Sequence, residues 1–435
     1  MPRARPLILA CLLLAGCAKS EAEWVADLSA QEPFARVLAI TALAENPRPE
    51  VLPHLLAALD DVSEDVRAAA GAALTRRGPA ALAPLLDALR PGAPVAQRQG
   101  ALAGLPLLAH DAAEPLARCL LDPDYERPAV LRALEHLGPA AGRPALAPLI
   151  AGLASPEAWQ RAAAAEGLRA VDPTDRDVLA ALLPVARDAD PQVRDLALKA
   201  AVAGLLLRLR SGDDLSRHAA QVMLETLGDS AVPALARALR EAPAGEDQEP
   251  LAALAAHGPD GLVATLGYLN PRDPQHVARA LALTAAIGPD ALPRLLALHA
   301  GEASPLRLLA TVCLGALHAA ARPAAPALLA DLRGSDPLQR WAAAHALGLI
   351  GPDDDEQLRE LLATLRDADR LLLDSLAPGV VDALLERIAV RPAEAAAWRT
   401  ELEALGDSAV PQLQHRARGG DARAQLAARL LVERG

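Results

Sequence analysis

The groups best suited to chemistry in this 435-residue chain are few and widely spaced. Ten histidines stand at His54, His110, His136, His218, His257, His276, His299, His318, His345 and His415. An imidazole acts as general base or zinc ligand, and either role needs partners at fixed offsets. No HExxH occurs and no His/Cys set has zinc spacing, so these residues predict no metal site. Cys119 and Cys313 are the only cysteines after Cys17, and they lie in the apolar stretches LARCLL and ATVCLG. Such settings favour buried free thiols over catalytic or chromophore-bearing ones, because a reactive thiolate needs exposure and positive neighbours. The acidic run Asp353-Asp354-Asp355-Glu356 lacks the glycine and ligand spacing of a calcium loop. Acids opening a helix explain it, since the helix N-terminus attracts negative charge. Trp159, Trp341 and Trp398 are expected to fill space between helices. The chain has no Walker loop, GxGxxG or GxSxG, so no catalytic or cofactor-binding residue is assigned.

What positions these groups is helix. The chain is 52% hydrophobic but only 2% aromatic, with one Phe, two Tyr and four Trp, so its apolar content is Ala and Leu. Those residues favour helix, and strand formers are scarce. Gly-Pro or Gly-Asp steps recur at Gly78, Gly138, Gly228, Gly258, Gly288, Gly351 and Gly406, with gaps of 60, 90, 30, 30, 63 and 55. The gaps cluster near multiples of 30. Each glycine suits the left-handed cap of an upstream Ala/Leu helix. Downstream, Pro84, Pro148, Pro233, Pro293, Pro326 and Pro411 are read as first-turn prolines, the position where a missing N–H costs nothing. Asp-Pro steps at Asp190, Asp273 and Asp336 precede Arg194, Arg279 and Arg340, and Asp60-Asp61 precedes Arg67. The aspartates suit N-caps.

One helix pair cannot bury its own apolar stripe, so the pairs must stack. The spacing predicts an all-α, right-handed α-solenoid of roughly 13 helix-turn-helix units over residues 30–435, with one continuous core. The pattern weakens at 191–215 and at 366–395. About six units separate Cys119 from Cys313, too far for a disulfide. The Asp/Arg pattern resembles that of HEAT repeats, in particular the phycobilisome-lyase HEAT-like class. By that resemblance the chain is a protein-interaction scaffold or adapter, or alternatively an enzyme or enzyme-maturation factor of the lyase type. HEAT-class hydroxylases use paired His-Glu motifs. Here only Glu135-His136 comes near, reversed and alone.

The N-terminus carries an address. Arg3 and Arg5 precede an apolar run from Leu7 to Leu14, followed by Leu14-Ala15-Gly16-Cys17. The run is too short to span a bilayer, which needs about 20 residues. It resembles the bacterial lipobox, which implies a signal peptide over 1–17, lipidation of Cys17 and a membrane-anchored mature chain in the cell envelope. Residues 18–29 are read as a tether. Ala18 after the cysteine, where enteric lipoproteins retained in the inner membrane carry Asp, tilts the expectation toward the outer membrane. Arg3 and Arg5 are the only charges before Cys17, so their removal deepens the net charge from −12 to −14. With few stacking aromatics and no basic face, nucleic acid is not an expected partner. The expected partners are proteins, with the membrane reached through the lipid.

Overall fold

The computed structural model describes residues 19–434 except 47, 367–369, 392 and 420. Cys17 and the signal segment therefore lie outside the described residues. Among the described residues every regular element is helical.

The repeating unit is a helix, a short 3-10 turn and a second helix. The seven glycines picked out by spacing all adopt positive φ, between 50° and 76°. At that conformation a side chain would be strained, and a glycine ends the helix at no such cost. Helix starts follow the capping rule too. Asp190, Asp273 and Asp336 each accept a backbone N–H from the next turn. Pro233, Pro293, Pro326 and Pro411 sit in first turns. Pro148 does not: it lies inside the helix Gly142–Gly152, and Pro144 holds the first-turn place. The offset from the upstream glycine decides this, because Pro144 stands as far from Gly138 as Pro84 does from Gly78.

Contacts divide the chain into two compact units, ending at Met223 and beginning at Leu224, inside the helix Asp214–Leu227. In unit 1 the first helices of five pairs are Pro33–Ala44, Glu64–Arg77, Val95–Gly104, Arg127–Leu137 and Ala158–Val171. Each packs on the next, and the fifth packs on Pro191–Ser211. The second helices carry Leu55, Leu85, Leu116, Leu149 and Leu182, all fully buried and spaced about one repeat apart. Burying a leucine contributes about 1.5–3 kcal/mol, so this column is a main source of stability.

Unit 2 repeats the arrangement. Gln248–Ala256, Pro274–Ile287, Pro305–Ala316 and Pro337–Ile350 stack in sequence, and the last packs on Arg370–Val390. A fifth pair, Ala395–Ala404 with Val410–Ala417, follows. Leu235, Leu262, Leu295, Leu328 and Leu413 extend the buried leucine pattern. Each unit is therefore a stretch of α-solenoid built from HEAT-like pairs. Two undivided helices of 21 residues, Pro191–Ser211 and Arg370–Val390, occupy the places where the sequence pattern weakened.

The presumed tether is partly structured. Glu21–Asp27 is a helix closed by a capping box between Ser20 and Glu23. Its Trp24 is buried, and the helix packs on Pro33–Ala44.

Candidate functional site

Aspartates just beyond second helices receive arginines from the first helix of the same pair. Arg36 grips Asp61 with two parallel bonds of 2.7 Å, and its remaining nitrogen donates to the carbonyls of Ala30 and Gln31. Arg161 and Asp188 repeat this at 2.8 and 2.9 Å. Arg67 and Arg194 then donate to the carbonyls of Asp61 and Asp188. The side-chain bonds from these arginines hold both carboxyls below the usual range. Such charge-assisted forks fix the two helices of a pair against each other, and the Arg67 and Arg194 bonds tie on the next pair. The sequence pattern gave Asp190 to Arg194. Asp190 caps its helix, as its place before Pro191 predicts, and the residue that takes the arginine fork is Asp188, two positions earlier. An aspartate placed about one repeat after an arginine was the available signal.

The acidic run serves the same architecture. Asp353 pairs with Arg322, Asp354 accepts from the Gln357 backbone, and Asp355 pairs with Arg387 and Arg391. Among the described residues no group of three His, Cys, Asp or Glu side chains is placed to hold a metal ion. His136 faces the carbonyl of Leu102, and Glu135 pairs with Arg169. Cys119 and Cys313 are free and buried. Burial raises both thiols, that of Cys313 up to about 12. A thiol held protonated in this way is a poor nucleophile.

One cluster was not foreseen. His299, Thr311 and Gln339, three buried polar residues from three successive repeats, meet Asp331 and Arg307 inside unit 2. His299 Nδ1 lies 2.9 Å from Thr311 Oγ1, and its Nε2 lies 3.6 Å from Asp331 Oδ2. A hydroxyl, an imidazole and a carboxylate in a row suggest nucleophilic catalysis. The protons argue otherwise. Thr311 donates to the Arg307 carbonyl at 2.8 Å and accepts from Gln339 Nε2 at 2.8 Å. Its hydroxyl is thus already engaged by the backbone and by Gln339. Thr311 is 0% exposed, so no substrate reaches it. The cluster ties repeats together: Asp331 also accepts from Gln339 and Arg307 at 2.7 Å each.

Burial pushes His299 below its usual value, against the pull of Asp331 and with the push of Arg307. The unfolded chain therefore takes up this proton first. Stability is unaffected well above the ordinary histidine pKa of about 6.5 and falls as pH drops below it. Burial lowers His345 in the same sense. Thermal melts between about pH 7.5 and 5 are expected to show a falling midpoint. His299→Gln should flatten the dependence, and an unchanged slope would exclude this group as a source.

The tryptophans divide. Trp398 is buried at 4% exposure and donates to Glu394 at 3.3 Å, as a space-filling residue should. Trp159 and Trp341 are only half-buried. Trp341 stacks on His345, with centroids 5.6 Å apart. Trp159 lines a cleft of about 490 Å³ in unit 1 with Tyr125, Pro123, Pro128, Leu131 and Glu166. The expectation that all three fill the core therefore fails at these two. The first helix of the preceding repeat begins at Arg127 and presents that residue to the Trp159 ring, 5.2 Å from the centroid. Cleft-lining Trp and Tyr residues are the usual anchors of protein interfaces.

No protein-family model matches the chain, and no curated protein matches it. Among solved structures, it is similar to Kap95p in a study of its binding to RanGDP, with a TM-score of 0.42 and 13% identity over 95% of this chain and 64% of that one. The chain thus spans less than two thirds of Kap95p. Importin beta gives a TM-score of 0.29 at 15% identity, covering 92% of this chain and 72% of that one. An engineered protein gives 0.31 at 17% identity, covering 95% and 98%. The chain's own recurring glycine-turn pairs, buried leucine columns and arginine–aspartate links define the architecture as HEAT-like helical repeats.

Proposed function

We propose that the chain is a membrane-anchored protein–protein interaction scaffold of the bacterial cell envelope. The observation that carries the interaction half is the open Trp159–Tyr125 cleft. The chain has only seven aromatic residues, and two of them, 34 positions apart, converge on one accessible surface. Packing alone does not call for this, since the buried leucines already fill the core. The lyase-type alternative gains no support from the thiols, both buried and both raised by that burial.

The anchoring half rests on sequence. Arg3 and Arg5, the short apolar run and the small residues before Cys17 support lipidation of that cysteine and release of residues 1–17. Two or more acyl chains hold a protein stably at a bilayer, where one does not. Ala18 supports the outer membrane. Cys17→Ser should move the protein from the membrane to the soluble fraction or leave it as precursor. Intact-mass measurement should find the mature chain beginning at an acylated Cys17. An unmodified cysteine, or cleavage elsewhere, overturns the anchor.

A further inference from the structure

The Trp159 cleft has a chemical bias. Glu166 lies two helical turns beyond Trp159 and lines the cleft beside it. Among the described residues neither the Glu166 carboxylate nor the Trp159 indole nitrogen has a hydrogen-bond or ion-pair partner. The Asp122 carboxylate, at the rim, accepts the backbone N–H of Asp124 in its own loop. The lining therefore carries two carboxylates against one cation, Arg127, on a chain whose net charge is −12.

The two rings also show which groups their faces attract. Arg127 stands over Trp159, and Arg90 stands 4.4 Å from the Tyr125 centroid. A cation over an aromatic face is favoured by the ring quadrupole, more so when water is excluded. Unit 2 brings a tryptophan, an arginine and two glutamates together around a cleft of about 550 Å³. Arg359 lies over Trp398 beside Glu394 and Glu401, but that ring is buried and bonded to Glu394. The unit 1 version leaves its carboxylate unpaired and its ring half open.

We infer that the Trp159 cleft receives an arginine or lysine side chain from a basic segment of a partner protein, its cation seated against Glu166 and the Trp159 face. This inference rests on the scaffold reading above and names the partner's chemistry. Apolar contact with Leu131, Pro123 and Pro128 accommodates the aliphatic stem of such a side chain.

Fluorescently labelled octa-arginine tests it by anisotropy against the folded full-length protein. Glu166→Gln, which keeps shape and removes charge, should weaken binding about tenfold, equivalent to about 1.4 kcal/mol. Trp159→Leu should do so comparably. Asp111→Asn removes one exposed charge outside the cleft and should change affinity by less than about twofold. Equal losses in Glu166→Gln and Asp111→Asn would show diffuse attraction to an acidic surface and overturn the proposal. So would octa-arginine that does not bind. Trp159→Leu is judged only where circular dichroism matches wild type, and Glu166→Gln decides otherwise. Proteins that still crosslink to a chain unable to bind octa-arginine would leave the scaffold reading standing and this inference fallen.

Discussion

Leu235→Asp is expected to destabilise unit 2 by about 4 kcal/mol or more, among the largest losses from a single substitution. Leu235 is 0% exposed and belongs to the buried leucine pattern, in the helix Val232–Glu241. An aspartate there loses the leucine's packing and leaves a carboxylate without water or counter-ion. The group would take up a proton rather than stay charged, and that too lowers stability at neutral pH. Because a repeat touches only its neighbours, the damage should spread weakly and broaden the melt rather than simply shift it. Leu215→Asp is the control, since Leu215 is 79% exposed and should change little. Urea and thermal unfolding followed by far-ultraviolet circular dichroism compare the two. Equal melting of both variants and wild type would place Leu235 outside the core.

Gly348→Ala is expected to be nearly as harmful, although it adds a single methyl group. The helices Pro337–Ile350 and Arg370–Val390 cross so closely that a Cβ on Gly348 would stand 2.1 Å from the Ser375 carbonyl oxygen. Gly379, on the other helix, meets the Gly348 carbonyl in turn: a Cβ there would lie 2.5 Å from that oxygen. These are contacts with backbone, so no side chain can rotate away. The helices must separate, and separation costs the packing of leucines on both sides, typically about 1–3 kcal/mol for overpacking and more where backbone must shift. Gly258→Ala distinguishes the causes. Its Cβ would meet open space, and only the strain of a φ of +62° remains. Gly348→Ala should therefore lower the thermal midpoint more than Gly258→Ala, and the reverse order would reject the close crossing.

The local grammar of the fold was legible in the sequence, because it rests on single residues with single preferences. A glycine that must adopt positive φ, an aspartate that caps and a proline that favours the first turn each mark a boundary. Pro148 was misplaced by one helical turn, since two prolines stood close enough to compete for one position. The arginine–aspartate links were half legible: Arg67 and Arg194, which reach back from the next pair, were singled out, whereas Arg36 and Arg161, which grip the aspartates from within their own pair, were not. The His299 cluster was not legible. His299, Thr311 and Gln339 stand 12 and 28 residues apart in their hydrogen-bonded pairs, and only the stacking of repeats joins them. Thr311 sits in an apolar run that reads as plain core. The half-exposure of Trp159 depends likewise on how the neighbouring repeat packs beside it, which composition does not encode. Nor did the 30-residue period reveal the division at Met223 and Leu224, which falls within a helix.

A site-specific crosslink tests the central claim most directly. A photo-reactive benzoylphenylalanine at Leu131, on the wall of the Trp159 cleft, is activated in intact cells, with the same group at Asp111 as control. A scaffold that docks its partner in this cleft predicts a discrete protein adduct from position 131, absent from position 111 and diminished when Glu166→Gln is added. No adduct at position 131, or the same adducts from both positions, would contradict it.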